Sequence, residues 1–280
     1  MSTPANPEIG RFIDVGGLRT NVHDIGSGQP VVMIHGSGPG VSAYANWRLT
    51  MPALAEKFRV IAPDVIGFGY TDYPENLGFD LDMWVEHFLG LMDALEVDKV
   101  DIIGNSFGGA LALHVARRRP ERVRRMVLMG SAAISFPLTD GLDAVWGYEP
   151  GVPQMRRLLD IFAYNRALVT DELAEVRYRA SIREGVQEAF SALFPAPRQR
   201  WVDALALSEA ELKEIPHPAL VVHGREDKVI PPEASVRIFN LLPDARLHMF
   251  GRCGHWTQIE HAAAFNRLII DFLGGADGAI

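Results

Sequence analysis

The apolar run Val100-Asp101-Ile102-Ile103 leads directly into Gly104-Asn105-Ser106-Phe107-Gly108, and this junction constrains the chain more than any other feature. A G-x-S-x-G pattern between a strand and a helix is the form of a nucleophile elbow. The serine must sit on a tight turn in a strained backbone conformation, where bulky residues two positions before or after would clash. Glycine occupies both positions. The junction predicts a strand over 100–103 and a helix over 110–119, stopped before Pro120. The start of that helix offers free N–H groups to developing negative charge.

The rest of the chain supplies a sheet around this turn. Val31-Val32-Met33-Ile34 is a continuous apolar run, as in a strand buried on both faces of a parallel sheet. Residues 58–62, 126–129, 219–222 and 246–250 read the same way. Short extended runs at 12–15 and 20–24 are flanked by the turn residues Gly16-Gly17 and Gly26-Ser27-Gly28. Residues 81–95 and 262–273 have helical periodicity. Strands alternating with helices predict a parallel α/β sheet. The alternation breaks between about 135 and 215, where 155–163, 170–182 and 186–193 are helical and Thr170-Asp171-Glu172 marks a helix start. Pro195, Pro197, Pro216 and Pro218 punctuate the end of this stretch. The expected organisation is a core domain over 1–134 and 216–280 with a helical lid over 135–215. The bland alternative makes those helices part of the main domain.

Lys plus Arg number 27 against 35 Asp plus Glu, a net charge of −8, which argues against a nucleic-acid partner. The basic run Arg117-Arg118-Arg119 sits at a helix end, where it can face the carbonyl end of the dipole. Cys253 is the single cysteine, so no internal disulfide is possible. No apolar run reaches membrane-spanning length. The first residues, MSTPANPEIGR, lack the apolar stretch of a secretory signal. The expected location is the cytoplasm, with no membrane partner.

Further loops at strand ends carry chemistry. His35-Gly36-Ser37-Gly38-Pro39-Gly40 follows the 31–34 strand and can turn backbone N–H groups toward Ser106. The N–H groups of Ser37 and Phe107 are the expected oxyanion hole. A phosphate loop does not fit, since neither G-x-G-x-x-G nor G-x-x-x-x-G-K-[ST] is present. His223-Gly224-Arg225-Glu226-Asp227 follows the 219–222 strand, and Gly251-Arg252-Cys253-Gly254-His255-Trp256 follows the 246–250 strand. The chain order Ser, acid, His predicts a triad of Ser106, Asp227 and His255 on an α/β-hydrolase fold. This is a mostly parallel eight-stranded sheet flanked by helices, its lid inserted after the sixth strand. Glu226 is the competing acid, and His248 and His261 are alternative bases with structural roles expected. His35 and Asp64 are expected to be structural, and Cys253 to be a packed small residue. No spacing resembles a metal site and there is no dinucleotide fingerprint, so neither metal nor cofactor is expected.

The stretches HGSGPGVSAYANWRLTMP, GNSFGG, GLDAVWGY, RRLLDIFAYNRALVTDELAE, FPAPRQRWVDAL and GRCGHWTQIEHA together resemble the meta-cleavage product hydrolases. These are carbon–carbon bond hydrolases of bacterial aromatic degradation, and the resemblance covers nearly the whole chain. It implies the same triad. It also implies that Asn46 and Arg177 hold a substrate's carboxylate and 2-oxo end, with Asn105 a further polar contact and Trp256, Phe162 and Trp201 as pocket walls. For those aromatics core packing is the competing role. A planar guanidinium suits a carboxylate, although the residues alone do not separate Arg177 from Arg179 and Arg183. The implied substrate is a small dienoate, 2-hydroxymuconate semialdehyde or a 6-alkyl 2-hydroxy-6-oxohexa-2,4-dienoate. The implied products are 2-hydroxypenta-2,4-dienoate and a small acid, and the implied assembly is a homodimer or higher homo-oligomer. Phe107 and the lid point to hydrogen, methyl or small alkyl at C6. A carboxylesterase on the same triad and a ligand receptor of this fold stand as alternatives.

Overall fold

The computed structural model describes residues 6–275. Eight strands, β1 (Arg11–Val15), β2 (Leu18–Ile25), β3 (Pro30–Ile34), β4 (Arg59–Pro63), β5 (Val100–Asn105), β6 (Val123–Met129), β7 (Ala219–Gly224) and β8 (Ala245–Phe250), form one sheet. Their order is β1-β2-β4-β3-β5-β6-β7-β8. β2 pairs antiparallel with β1 and β4, and every other adjacent pair is parallel.

The central strands read as unbroken apolar runs because both faces are covered. Alternate side chains go to opposite layers. Val32 and Ile34 of β3, Ile102 of β5 and Leu128 of β6 join one core. Val31, Met33, Ile103, Val127 and Met129 join the other. The first layer is roofed by α3 (Leu81–Ala94) and α4 (Phe107–Arg118), the second by α1 (Ala43–Trp47), α2 (Met51–Ala55) and the C-terminal helix, Ala262–Gly274.

Between β6 and β7, among the described residues, the chain is helical with no strand. It holds α5 (Asp140–Trp146), α6 (Val152–Phe162), α7 (Asp171–Ser181), α8 (Val186–Leu193), α9 (Gln199–Leu205) and α10 (Glu209–Lys213). α7 starts where Thr170 accepts from the Leu173 N–H, with Asp171 and Glu172 in the first turn favouring the positive end of the dipole. α11 (Pro232–Leu241) follows β7, α12 (Thr257–Glu260) follows β8, and α13 is the Ala262–Gly274 helix.

Two expectations need correction. The helices read from the sequence leave out α1 and α2, between β3 and β4, each too short to show a helical period. α4 begins at Phe107 rather than at residue 110, because tertiary packing overrides the poor helix propensity of Gly108 and Gly109. Arg117 and Arg118 of the basic run lie in the last turn of α4, at the carbonyl end as expected, and also pair with Glu211 and Asp82 respectively. No helix among the described residues is long and apolar enough to cross a membrane.

Candidate active site

Ser106 sits between the last residue of β5 and the first of α4, with φ 56° and ψ −115°. That backbone is strained for a residue with a Cβ. It is held by its own hydrogen bonds: Ser106 N–H donates to Met129 O at 2.8 Å, and Ser106 O accepts from the N–H groups of Gly109 and Ala132. The flanking glycines are close approaches. A Cβ on Gly104 would lie 2.3 Å from Gly108 O, and one on Gly108 would lie 2.4 Å from Ile34 O. Phe107, as the first residue of α4, has an N–H with no intrahelical acceptor.

Asp227 and His255 meet at the ends of β7 and β8. His255 Nδ1–H donates to Asp227 Oδ2 at 2.7 Å, which leaves Nε2 as the free basic nitrogen. The other carboxylate oxygen, Oδ1, accepts from the N–H groups of Val229 at 2.7 Å and Ile230 at 3.0 Å. Buried His223 shares Nε2–H between Asp227 Oδ2 and Ile230 O, both at 3.1 Å, and its Nδ1 accepts from Ser235 Oγ–H. Burial pushes the Asp227 carboxyl up. The charge and hydrogen bond of His255 and the contact with His223 outweigh it and hold the group well below the usual carboxylate range. His255 is fixed from behind as well. Its N–H donates to Phe162 O at 2.7 Å, and Gly130, with φ +51°, lies so close beneath that a Cβ there would sit 3.3 Å from the imidazole.

The competing groups lie elsewhere. Glu226 accepts from Cys253 N–H and pairs with Arg225. His248 lies within β8, and His261 precedes α13. His35 is buried, donating from Nδ1 to Gly36 O and accepting at Nε2 from Val65 N–H. Burial lowers it to about 4. Asp64 is a buried anchor that accepts from Ala43 N–H, Asn21 Nδ2 and Tyr70 N–H. Burial nonetheless raises it to about 6. Cys253 is buried and its thiol is pushed up to about 12.

Ser106 and His255 line one cavity of about 540 Å³ together with Ser37, Asn46, Asn105 and Arg177. Asn105 Nδ2 donates to Asn46 Oδ1 at 2.9 Å. This leaves Asn46 Nδ2 and Asn105 Oδ1 buried without a hydrogen-bond partner among the described residues. Arg177 donates to Gly40 O at 2.7 Å and has Glu8 at 4.0 Å. Phe162 and Trp256 are stacked at 5.1 Å and both line the cavity.

Trp201 does not line it. Its ring stacks on Phe79 at 4.7 Å and its indole N–H donates to Pro195 O, so it packs the core rather than the pocket. The Phe107 ring likewise turns into the core against Trp84 and Phe194, so it cannot size the C6 site. The apolar wall comes instead from Leu142 and Val145 of α5, Met155 and Leu159 of α6, and Val229. Met155, Leu159 and Phe162 form an i, i+4, i+7 stripe that was readable as the inner face of a helix. Trp146, whose indole N–H donates to Ser37 Oγ at 2.9 Å across 109 residues of sequence, carried no local signal.

The chain belongs to the alpha/beta hydrolase fold family, which it matches over residues 29–262. It is 61% identical to a 2-hydroxymuconate semialdehyde hydrolase of Pseudomonas sp. (strain CF600), covering all of this chain and 99% of the other. It is 59% identical to a 2-hydroxy-6-oxo-2,4-heptadienoate hydrolase of Pseudomonas putida (strain F1), covering 98% and 100%. The solved meta-cleavage product hydrolase CumD of Pseudomonas fluorescens IP01, a serine-to-alanine variant complexed with acetates, is 60% identical. It superposes with a TM-score of 0.96 over 97% of this chain and 100% of that one.

Proposed function

We propose that this protein hydrolyses the C5–C6 bond of a 2-hydroxy-6-oxohexa-2,4-dienoate carrying hydrogen, methyl or small alkyl at C6. The products are 2-hydroxypenta-2,4-dienoate and a small carboxylic acid. The observation that carries the reading is one cavity holding both the Ser106 elbow and Arg177, the sole Arg or Lys among its described lining residues. A neutral ester has no use for that guanidinium, whereas a carboxylate remote from the scissile bond does. The relatives at 61% and 59% identity are named for substrates of this class, with hydrogen and methyl at C6.

In this reading Arg177 and the unpartnered Asn46 amide seat the carboxylate and 2-oxo end, and Asn105 adds a polar contact. Ketonisation moves the dienol proton to C5 and makes the 2-oxo group an electron sink. Ser106 Oγ adds to the C6 carbonyl while its proton passes to His255 Nε2, with Asp227 holding the imidazolium. The oxyanion accepts from the Ser37 and Phe107 N–H groups. The C5–C6 bond then breaks. Its electron pair runs through the C3–C5 chain onto the 2-oxygen, which takes the proton from His255. Water finally hydrolyses the acyl group from Ser106. Phe162 and Trp256 wall the cavity, and residues 135–215 act as a lid on a core formed by 1–134 and 216–280. A homodimer or higher homo-oligomer is part of the same reading and rests on the resemblance alone, while a cytoplasmic location rests on the sequence having no signal-like or membrane-length apolar stretch.

The test is a steady-state panel of 2-hydroxymuconate semialdehyde, its 6-methyl, 6-isopropyl and 6-phenyl analogues, and p-nitrophenyl acetate. A kcat/KM for the small dienoates far above that for the ester, and above that for the phenyl analogue, is expected. Turnover of the ester alone removes the substrate assignment.

A further inference from the structure

A second cavity of about 540 Å³ adjoins the first and shares Val41, Asn46, Arg177 and Trp256 with it. Its own walls are Ala45, Arg48, Leu168, Leu173, Gln258 and Ile259. One side is cationic and polar. Arg48 Nη1 donates to Ala45 O at 2.7 Å, and no carboxylate pairs with Arg48 among the described residues. Arg48 and Arg183 both add positive charge around Arg177, against the single carboxylate of Glu8. Gln258, 1% exposed, donates from Nε2 to Asn46 O at 3.3 Å, while its Oε1 is buried and unpartnered, as is Asn46 Nδ2. Buried polar atoms without partners are costly, and the two differ in what they take: Asn46 Nδ2 can donate to a carboxylate, whereas Gln258 Oε1 needs a donor such as the 2-hydroxyl of the dienoate. The remaining wall, Leu168, Leu173 and Ile259, is apolar and suits a flat conjugated chain.

We propose that this second cavity is a vestibule for the anionic dienoate. It holds the carboxylate near Arg48 before Arg177 takes it, and again as the dienoate product leaves. The inference rests on the reading of Arg177 as the final carboxylate seat. A cation in a vestibule raises the local concentration of the anion and speeds its arrival. Arg48 should therefore act chiefly on the rate of arrival, with a smaller effect on departure.

Stopped-flow binding of 2-hydroxymuconate semialdehyde to the Ser106→Ala protein separates these effects. Adding Arg48→Gln, which keeps a donor for Ala45 O but removes the charge, should lower kon roughly 3- to 10-fold at low salt. It should leave koff within about 2-fold, so that Kd rises with the loss of kon, and flatten the dependence of kon on ionic strength. Arg48→Lys should restore most of kon. In the Ser106-containing enzyme, kcat/KM for uncharged p-nitrophenyl acetate should not change with Arg48→Gln. An unchanged kon, a loss carried entirely by koff, or an equal loss on the neutral ester overturns the vestibule. Arg177→Ala serves as the control for the underlying reading. If it leaves Kd unchanged, the carboxylate seat is misassigned whatever Arg48 does.

Discussion

Asp227 is surrounded by donors on both oxygens, and the two imidazoles that donate to Oδ2, those of His255 and His223, are the neighbours that distinguish a carboxylate from an amide. In Asp227→Asn, Oδ1 can still accept from the Val229 and Ile230 N–H groups, but an NH₂ would confront His255 Nδ1–H. The imidazole must then switch tautomer and place its proton where Ser106 needs a base. The expected result is a fall in kcat of about 10⁴-fold with dienoate binding retained. A fall of less than tenfold would remove Asp227 from the orienting role. Glu8 acts in the opposite direction. It accepts from Ser42 Oγ at 2.9 Å and is the single carboxylate set against Arg177, Arg48 and Arg183. Glu8→Gln keeps the Ser42 contact and releases the guanidinium charge to the ligand. KM for the dienoate should fall, and inhibition by the dienoate product should strengthen, by up to about 5-fold, the size of ~1 kcal/mol at a partly exposed pair. A rise in KM would make Glu8 a structural support only. The triad was legible because each member follows a strand end in the expected order. Glu8, Trp146 and Gln258 were not, since each acts through a partner distant in sequence. Trp201 shows the converse: an aromatic in the lid carries no mark of which side of its helix meets the cavity.

Elements meet the site where glycine lets two backbones touch. Gly40, in the loop after β3, has φ +62°, and a Cβ there would lie 2.6 Å from Ser181 N at the end of α7. Its carbonyl also accepts from Arg177 of the same helix. Gly40→Ala must therefore both strain the loop and push α7 away. A stability loss of about 1–3 kcal/mol is expected. The drop in kcat/KM should be larger for the dienoate than for p-nitrophenyl acetate, because the displaced helix carries the guanidinium and not the nucleophile. Equal drops would mean that α7 does not position Arg177. Gly254 makes a similar contact, its Cβ position 2.4 Å from Phe162 O, so α6 is tied to the loop of His255. The strands were legible because burial on both faces writes continuous apolar runs. The helices of eight or more residues were legible by their period, except α11, whose ten residues are not read as a helix. α1, α2, α5, α9 and α10 have five to seven residues, too few to show one. The Gly40 and Gly254 contacts are tertiary, so the sequence showed glycines there but not what they approach.

Across the whole molecule, buried histidines and buried aspartates oppose one another as pH changes. Burial lowers His35 and His87 from 6.5 to about 4. Between those values the unfolded chain binds protons that the folded chain refuses, so these groups lower stability as pH falls from 6.5 toward 4. For His35 the full loss is about 3 kcal/mol. Burial raises Asp64 and Asp101 from 3.8 to about 6. Here the folded chain holds protons that the unfolded chain has released, so stability rises as pH falls from 6 to 3.8, again by about 3 kcal/mol for Asp64. The two classes offset one another only in part, because burial also lowers His23, His114 and His217, so the Tm should fall as the pH goes from 6.5 to 4.5. Below about 4 the partial offset ends, because the depressed carboxyls of Asp24 and Asp227 then lose their stabilising charge. His35→Gln removes one side of the opposition while leaving an acceptor for Val65 N–H and a donor for Gly36 O. Its Tm should lie below that of the parent at pH 7, and the gap should narrow by roughly 5 °C or more on going to pH 4.5. Calorimetric scans of both proteins across that range decide the matter. Parallel curves would mean that His35 titrates alike in the folded and unfolded chains, and that the buried aspartates are not being offset there.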